Sequence, residues 1–172
     1  MSYAIVLQYF WVPLLIGSSM LIWPYKRLSI FLTGLFFISS ILYVSALWSG
    51  LTVENQISPL YLRYDWVASM GIYYELGVDG LSFGLIVLSL LCCYLTLLWQ
   101  YYYEEQNFSY SAGLILCLAS LLLGFFSALD LVLFYLFFEA MLIPLYLLIL
   151  YYGSDNRQYA AIKFFIFTFF GS

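Results

Sequence analysis

The chain has 172 residues, of which 66% are hydrophobic, 23% aromatic and only 8% charged. A soluble domain carries about 25% charge, and five Lys and Arg with nine Asp and Glu, net −4, are too few to clothe a water-facing surface of this size. The composition excludes a soluble enzyme, a secreted scaffold and a disordered tail, and leaves a bundle in lipid.

No basic patch offers a site for nucleic acid. There is no His, which disfavours haem, zinc and copper sites that lean on imidazole. Cys92, Cys93 and Cys117 sit in apolar runs and are expected to be small buried hydrophobes. No Gly-rich phosphate loop, dinucleotide fingerprint or Ser/His/Asp set is present, so no cofactor or metal is expected on this chain. The first residues carry neither an Arg-rich transit character nor the basic region and small-residue site of a cleaved signal peptide.

Charge-free runs give the elements in chain order. A spanning helix needs about 20 apolar residues. Five segments qualify: 3–23, 28–49, 80–102, 109–129 and 131–152. A sixth begins near Gln158 and reaches Ser172, about 22 Å at 1.5 Å per residue, against a hydrocarbon core of about 30 Å. The expected fold is therefore all-α and polytopic: five complete transmembrane helices and a truncated sixth. Its parts are helices one and two in 1–49, a loop over 50–79, and helices three to six in 80–172. The charges marking the turns are Lys26 and Arg27, then Glu54, Arg63, Asp65, Glu75 and Asp79, then Glu104 and Glu105, Asp130, and finally Asp155 and Arg157.

Within the 50–79 loop, Leu60, Leu62, Tyr64 and Trp66 alternate with Tyr61, Arg63, Asp65 and Val67. Ile72, Tyr74, Leu76 and Val78 alternate with Tyr73, Glu75, Gly77 and Asp79. Period-two patterning on both sides of Ala68–Gly71 predicts a short β-hairpin; an irregular interfacial loop anchored by Trp66 and the tyrosines is the alternative. Ser120, Gly124 and Ala128 fall at i, i+4 and i+8, a small-residue stripe for close helix packing. Asp79 and Asp130 precede helices three and five and are expected to cap them. Lys26, Arg27, Arg157 and Lys163 belong to one side of the membrane and Arg63 to the other, which puts the N-terminus outside.

One residue breaks the apolar rule. Glu139 is the ninth residue of the 131–152 run, about 13 Å along the helix and near the bilayer midplane. A carboxyl facing lipid there costs about 3 kcal/mol on insertion scales, so it is expected to face the bundle interior, water or a cation. Burial favours the neutral acid and a nearby cation the charged one, and a group between those influences can exchange protons. Pro144 lies five residues on; it cannot donate to the Ala140 carbonyl and is expected to kink the helix there. A structural acid, bonded to another helix, is the plainer reading. Lys163 either snorkels to the interface or relays protons. Abundant Phe and Tyr with few Lys suit a T-rich organellar genome.

The stretch from Leu129 through Phe137-Phe138-Glu139 to Ile143-Pro144 resembles the fifth helix of chain 4 of NADH–ubiquinone oxidoreductase, an antiporter-like membrane-arm subunit of respiratory complex I. Gly77-Val78-Asp79-Gly80-Leu81-Ser82 and Ala160-Ala161-Ile162-Lys163-Phe164-Phe165 resemble that family's approaches to helices three and six, in the same order and spacing. The resemblance is specific over about 75–172; residues 1–74 agree in helix count and loop placement. The Trp-Glu-Gly arrangement of chain 5 is absent.

The resemblance implies a proton-translocating subunit with Glu139 as the intramembrane proton carrier. In the family that acid pairs with a lysine on a broken seventh helix. It implies NADH, FMN, iron–sulfur clusters and ubiquinone on partner subunits, with no redox chemistry on this chain. It implies other membrane-arm subunits and lipid as partners. The expected location is the mitochondrial inner membrane with the N-terminus on the intermembrane-space side. Because the pattern stops in helix six, a separate C-terminal fragment is expected to supply the rest of the fold. A multi-subunit cation/proton antiporter subunit and a non-pumping structural membrane subunit are the competing readings.

Overall fold

The computed structural model describes residues 6–53, 60–103 and 108–172. Its elements are α1 (Trp11–Ile22), α2 (Lys26–Val53), β1 (Leu60–Val67), β2 (Ile72–Val78), α3 (Gly80–Tyr103), α4 (Phe108–Ser127), α5 (Leu131–Tyr152) and α6 (Arg157–Gly171), with a 3₁₀ turn at Ala68–Met70 between the strands. Four helices, α2 to α5, are long and apolar enough to cross a membrane. Glu54, Glu104, Glu105 and residues 3–5 of the first expected span lie outside the described residues. The loop expected from residue 50 begins later, because α2 continues to Val53.

The first helix differs from the uninterrupted span expected over 3–23. Pro13 has no N–H to offer the Tyr9 carbonyl, which instead accepts from Val12 at 2.9 Å. Trp11 donates to Gln8 at 3.2 Å and Tyr9 to Val6 at 3.1 Å. These tighter bonds make a turn before α1, whose 12 residues extend about 18 Å.

The hub is α4. Over its 18-residue apolar stretch 72% of residues are buried, against 22–28% for the other three spans. Small residues along it, among them Ser111, Ala112, Gly113, Ala119, Ser120 and Gly124, are buried and let neighbours approach closely. Helix α1 crosses it at Gly17: a Cβ there would stand 2.7 Å from the Gly113 carbonyl oxygen. Helix α5 crosses at Gly124, where a Cβ would meet the Phe137 ring at 2.5 Å. The small-residue stripe thus acts as expected at its centre. Cys93 is buried and Cys117 half-buried, as small hydrophobes, but Cys92 is exposed. The correction follows from helix geometry: Cys92 and Cys93 are consecutive and cannot share one face.

The predicted hairpin is present. Strands β1 and β2 pair antiparallel with Arg63 opposite Glu75 and Tyr64 opposite Tyr74, and the register slips between Asp65 and Val67. Gly71 takes φ +69°, a left-handed conformation that glycine adopts at no steric cost. Leu60, Leu76 and Val78 turn into the core, while Tyr61, Tyr64 and Trp66 stay exposed.

Candidate functional site

Helix α5 carries the candidate acid. It starts at Asp130, whose Oδ1 accepts from the Val132 amide at 2.8 Å and the Leu133 amide at 3.2 Å. This is the cap expected from the sequence, and it satisfies amides the helix leaves unpaired. The other carboxylate oxygen accepts from the Tyr73 amide of β2 at 3.3 Å. Desolvation pushes this carboxyl's pKa up, but the amides of Leu133, Tyr73 and Val132 outweigh it and hold the group below the usual aspartate value. Asp79 caps α3 in the same way: its Oδ1 accepts from the Ser82 amide at 2.7 Å, while Ser82 Oγ accepts from the Asp79 amide at 3.0 Å. This reciprocal pair is a capping box built with Ser in place of Glu. The Ser82 hydroxyl, then its amide, lower the Asp79 pKa.

Glu139 is half-buried on α5, and its Oε1 accepts from Ser172 Oγ at 2.5 Å. The Ser172 amide closes the last turn of α6 on the Thr168 carbonyl at 3.1 Å, so the far end of α6 lies level with the acid. Nothing in the sequence marks this contact, which exists only because α6 folds back along α5. Pro144 is buried inside α5, and the helix runs continuously through it to Tyr152. The Ala140 carbonyl, deprived of its donor by Pro144, is one residue from Glu139 and can accept from a polar group or water.

Lys163 stands apart from this pair. It is exposed on α6, with its Nζ 5.5 Å from the Tyr159 ring centroid and 5.9 Å from that of Phe167. It lies nine residues before Ser172, about 13 Å along the helix. The ion pair found among the described residues is elsewhere, between Arg63 and Glu75 at 3.6 Å on the hairpin. There the Arg63 guanidinium also lies 3.7 Å from the Tyr73 ring centroid, and Tyr61 donates its hydroxyl to Glu75.

Residues 128–172, which hold Glu139, Pro144 and Lys163, match the family model described as NADH:quinone oxidoreductase/Mrp antiporter, transmembrane. The chain is 38% identical over 120 residues to NADH-quinone oxidoreductase subunit M of Rickettsia prowazekii, an alignment covering 70% of this chain and 24% of the relative. It is 47% identical over 107 residues to subunit M of Rhodobacter capsulatus, covering 62% and 20%. NAD(P)H-quinone oxidoreductase chain 4 of Gloeobacter violaceus is 31% identical over 163 residues, covering 94% and 30%. The chain thus spans between a fifth and a third of the relatives it matches. A chain in the structure of respiratory complex I from Thermus thermophilus with bound NADH superposes with a TM-score of 0.72 at 30% identity, covering 96% of this chain and 33% of that one. In sequence the chain is similar to a stretch of the subunit M and chain 4 proteins of NADH-quinone and NAD(P)H-quinone oxidoreductases, the membrane family its α5 pattern resembles, and in fold to a chain of respiratory complex I.

Proposed function

We propose that this chain is a proton-translocating membrane-arm subunit of NADH:quinone oxidoreductase, and that Glu139 carries the proton. The observation behind this reading is the placement of the only Asp or Glu within the four spans: half-buried, bonded across to α6, beside a carbonyl freed by Pro144. A carboxyl in hydrocarbon is costly unless it has partners and a use. In this reading the Glu139 carboxyl exchanges its proton as the positive charge around it changes. Lys163 supplies such a charge on the neighbouring helix, as a relay or as an electrostatic partner.

In this reading the redox energy arrives from partner subunits, which hold NADH, FMN, the iron–sulfur clusters and ubiquinone. The partners are the other membrane-arm subunits of complex I and the surrounding lipid. The charge count and the composition support a mitochondrial inner membrane setting with the N-terminus on the intermembrane-space side. The matching family description also names Mrp antiporters, which keeps a multi-subunit cation/proton antiporter as the second reading. Copurification with NADH dehydrogenase subunits favours the first and with antiporter subunits the second.

The test is Glu139→Gln with proton pumping measured in sealed vesicles. Pumping is expected to be lost at normal assembly, and unchanged pumping would overturn the proposal.

A further inference from the structure

The edge of β2 away from β1 is not free. Glu75 accepts from the Leu129 amide at 3.0 Å, and Tyr73 donates to Asp130 Oδ2 at 3.3 Å. Next to the Glu75 carbonyl that takes the first of these bonds, Leu76 forms an isolated antiparallel bridge with Ala128. The three residues joining α4 to α5 therefore run along β2 almost as a third strand. The fit is close: a Cβ on Gly77 would stand 2.6 Å from Leu129 Cδ1 and 3.0 Å from the Leu60 carbonyl oxygen. Asp130 belongs to both structures at once, one carboxylate oxygen on the helix amides and the other on the strand amide.

From this arrangement we infer that the hairpin is a positioning element for Glu139, with Asp130 as the positioning residue that transmits it. The corner residues 128–130 are continuous with the first turn of α5, and Glu139 stands about 13 Å along that rigid helix from Asp130. Fixing the corner to β2 fixes the depth and the rotation at which the carboxyl meets α6. A helix free to turn at its start would swing Glu139 away from Ser172. The inference rests on the proposed role of Glu139 for its functional meaning, but its geometry is tested separately.

Asp130→Asn divides the two duties of the side chain. Asn caps a helix about as well as Asp, so Val132 and Leu133 keep their acceptor. The amide nitrogen then faces the Tyr73 N–H, and two donors cannot bond. Gly77→Val is the second variant; it wedges the hairpin off Leu129 without touching α5. Both are made in the full membrane complex. The first readout is the rate at which a hydrophobic carbodiimide labels Glu139, followed by mass spectrometry. The second is pumping relative to quinone reduction. A displacement on the order of 1 Å costs on the order of 100-fold where positioned groups react, so a partial release is expected to change labelling and pumping by about tenfold.

If Asp130→Asn and Gly77→Val both label Glu139 at the wild-type rate, the hairpin does not position it and the inference is overturned. If only Gly77→Val fails to assemble, Asp130→Asn decides. Altered labelling beside normal pumping in Glu139→Gln would sustain the positioning and refute the proton-carrying role.

Discussion

Gly17 of α1 and Gly113 of α4 face each other backbone to backbone, each leaving room for the other's carbonyl: a Cβ on the first would sit 2.7 Å from Gly113 O, and one on the second 3.0 Å from Gly17 O. Cys117 closes the same contact, its Sγ 2.8 Å from the position of a Gly17 Cβ. Helix α1 is too short to hold itself in lipid by length. Its position depends on this crossing with α4, the one span of the four that is mostly enclosed by protein.

Gly17→Ala is therefore expected to destabilise the bundle. Its methyl meets backbone, which cannot turn aside, and such overpacking costs about 1–3 kcal/mol. Gly34→Ala is the matched control, because a Cβ there has nothing within 4 Å. Thermal unfolding in detergent should show a lower midpoint for the first and no loss for the second.

Ser120→Ala is expected to stabilise the chain. The Ser120 side chain is fully buried on α4 and its hydroxyl has no hydrogen-bond partner among the described residues. Ser111 and Ser127 on the same helix bond back to carbonyls one turn earlier, at 3.1 and 2.8 Å. An orphaned buried hydroxyl costs about 1–3 kcal/mol, and its removal should recover part of that as a higher unfolding midpoint. A lower midpoint would show that the hydroxyl is used.

Asp79→Ala should weaken the start of α3 by about 1 kcal/mol, the usual cost of losing such a cap, whereas Asp79→Asn keeps the acceptor and most of the stability. The pH dependence has a definite sign. The folded carboxyl has a lowered pKa, so the unfolded chain binds more protons in acid. The contribution is complete above the ordinary aspartate value of about 4 and is lost as pH falls through the folded value. Since the group is near the surface, solvent and salt screen the effect. Unfolding measured from neutral pH downward should show a smaller acid-limb loss in Asp79→Asn than in the parent, the remainder including the contribution of Asp130, whose carboxyl is lowered too.

Much of this was legible because hydrocarbon tolerates so few charges. The gaps between charged residues placed α2 to α6 to within a few residues. The two alternating runs located the hairpin, and the position of Asp79 and Asp130 before apolar runs identified both caps. What the sequence concealed was pairing between distant elements. Gly17 and Gly113 are each unremarkable within their own helices and matter only once the helices cross. The Tyr73 amide and the Ser172 hydroxyl reach their carboxylates across 57 and 33 residues of chain. Pro13 did carry a usable signal: a proline inside the first apolar run foretold the interrupted start of α1, and hydropathy alone overrode it. The buried character of α4 was not legible in its Ser, Ala and Gly content, since α2 carries Ser29, Gly34, Ser39, Ser40, Ser45, Ala46, Ser49 and Gly50 and is far less buried.

Helix α2 has 28 residues and α4 has 20, about 42 and 30 Å at 1.5 Å per residue. Both are long and apolar enough to cross the same slab of lipid. A rod about 12 Å longer than its neighbour either leans or carries its charged start, Lys26 and Arg27, out beyond the hydrocarbon. Packing holds α2 along its length, through Phe37 with Tyr94 and Trp48 with Phe83 on α3 and through Tyr43 and Ser39 with Tyr9 ahead of α1, and such contacts set how a helix leans. The chain thus sets a short centre enclosed by protein against a longer flank tied down by aromatic rings.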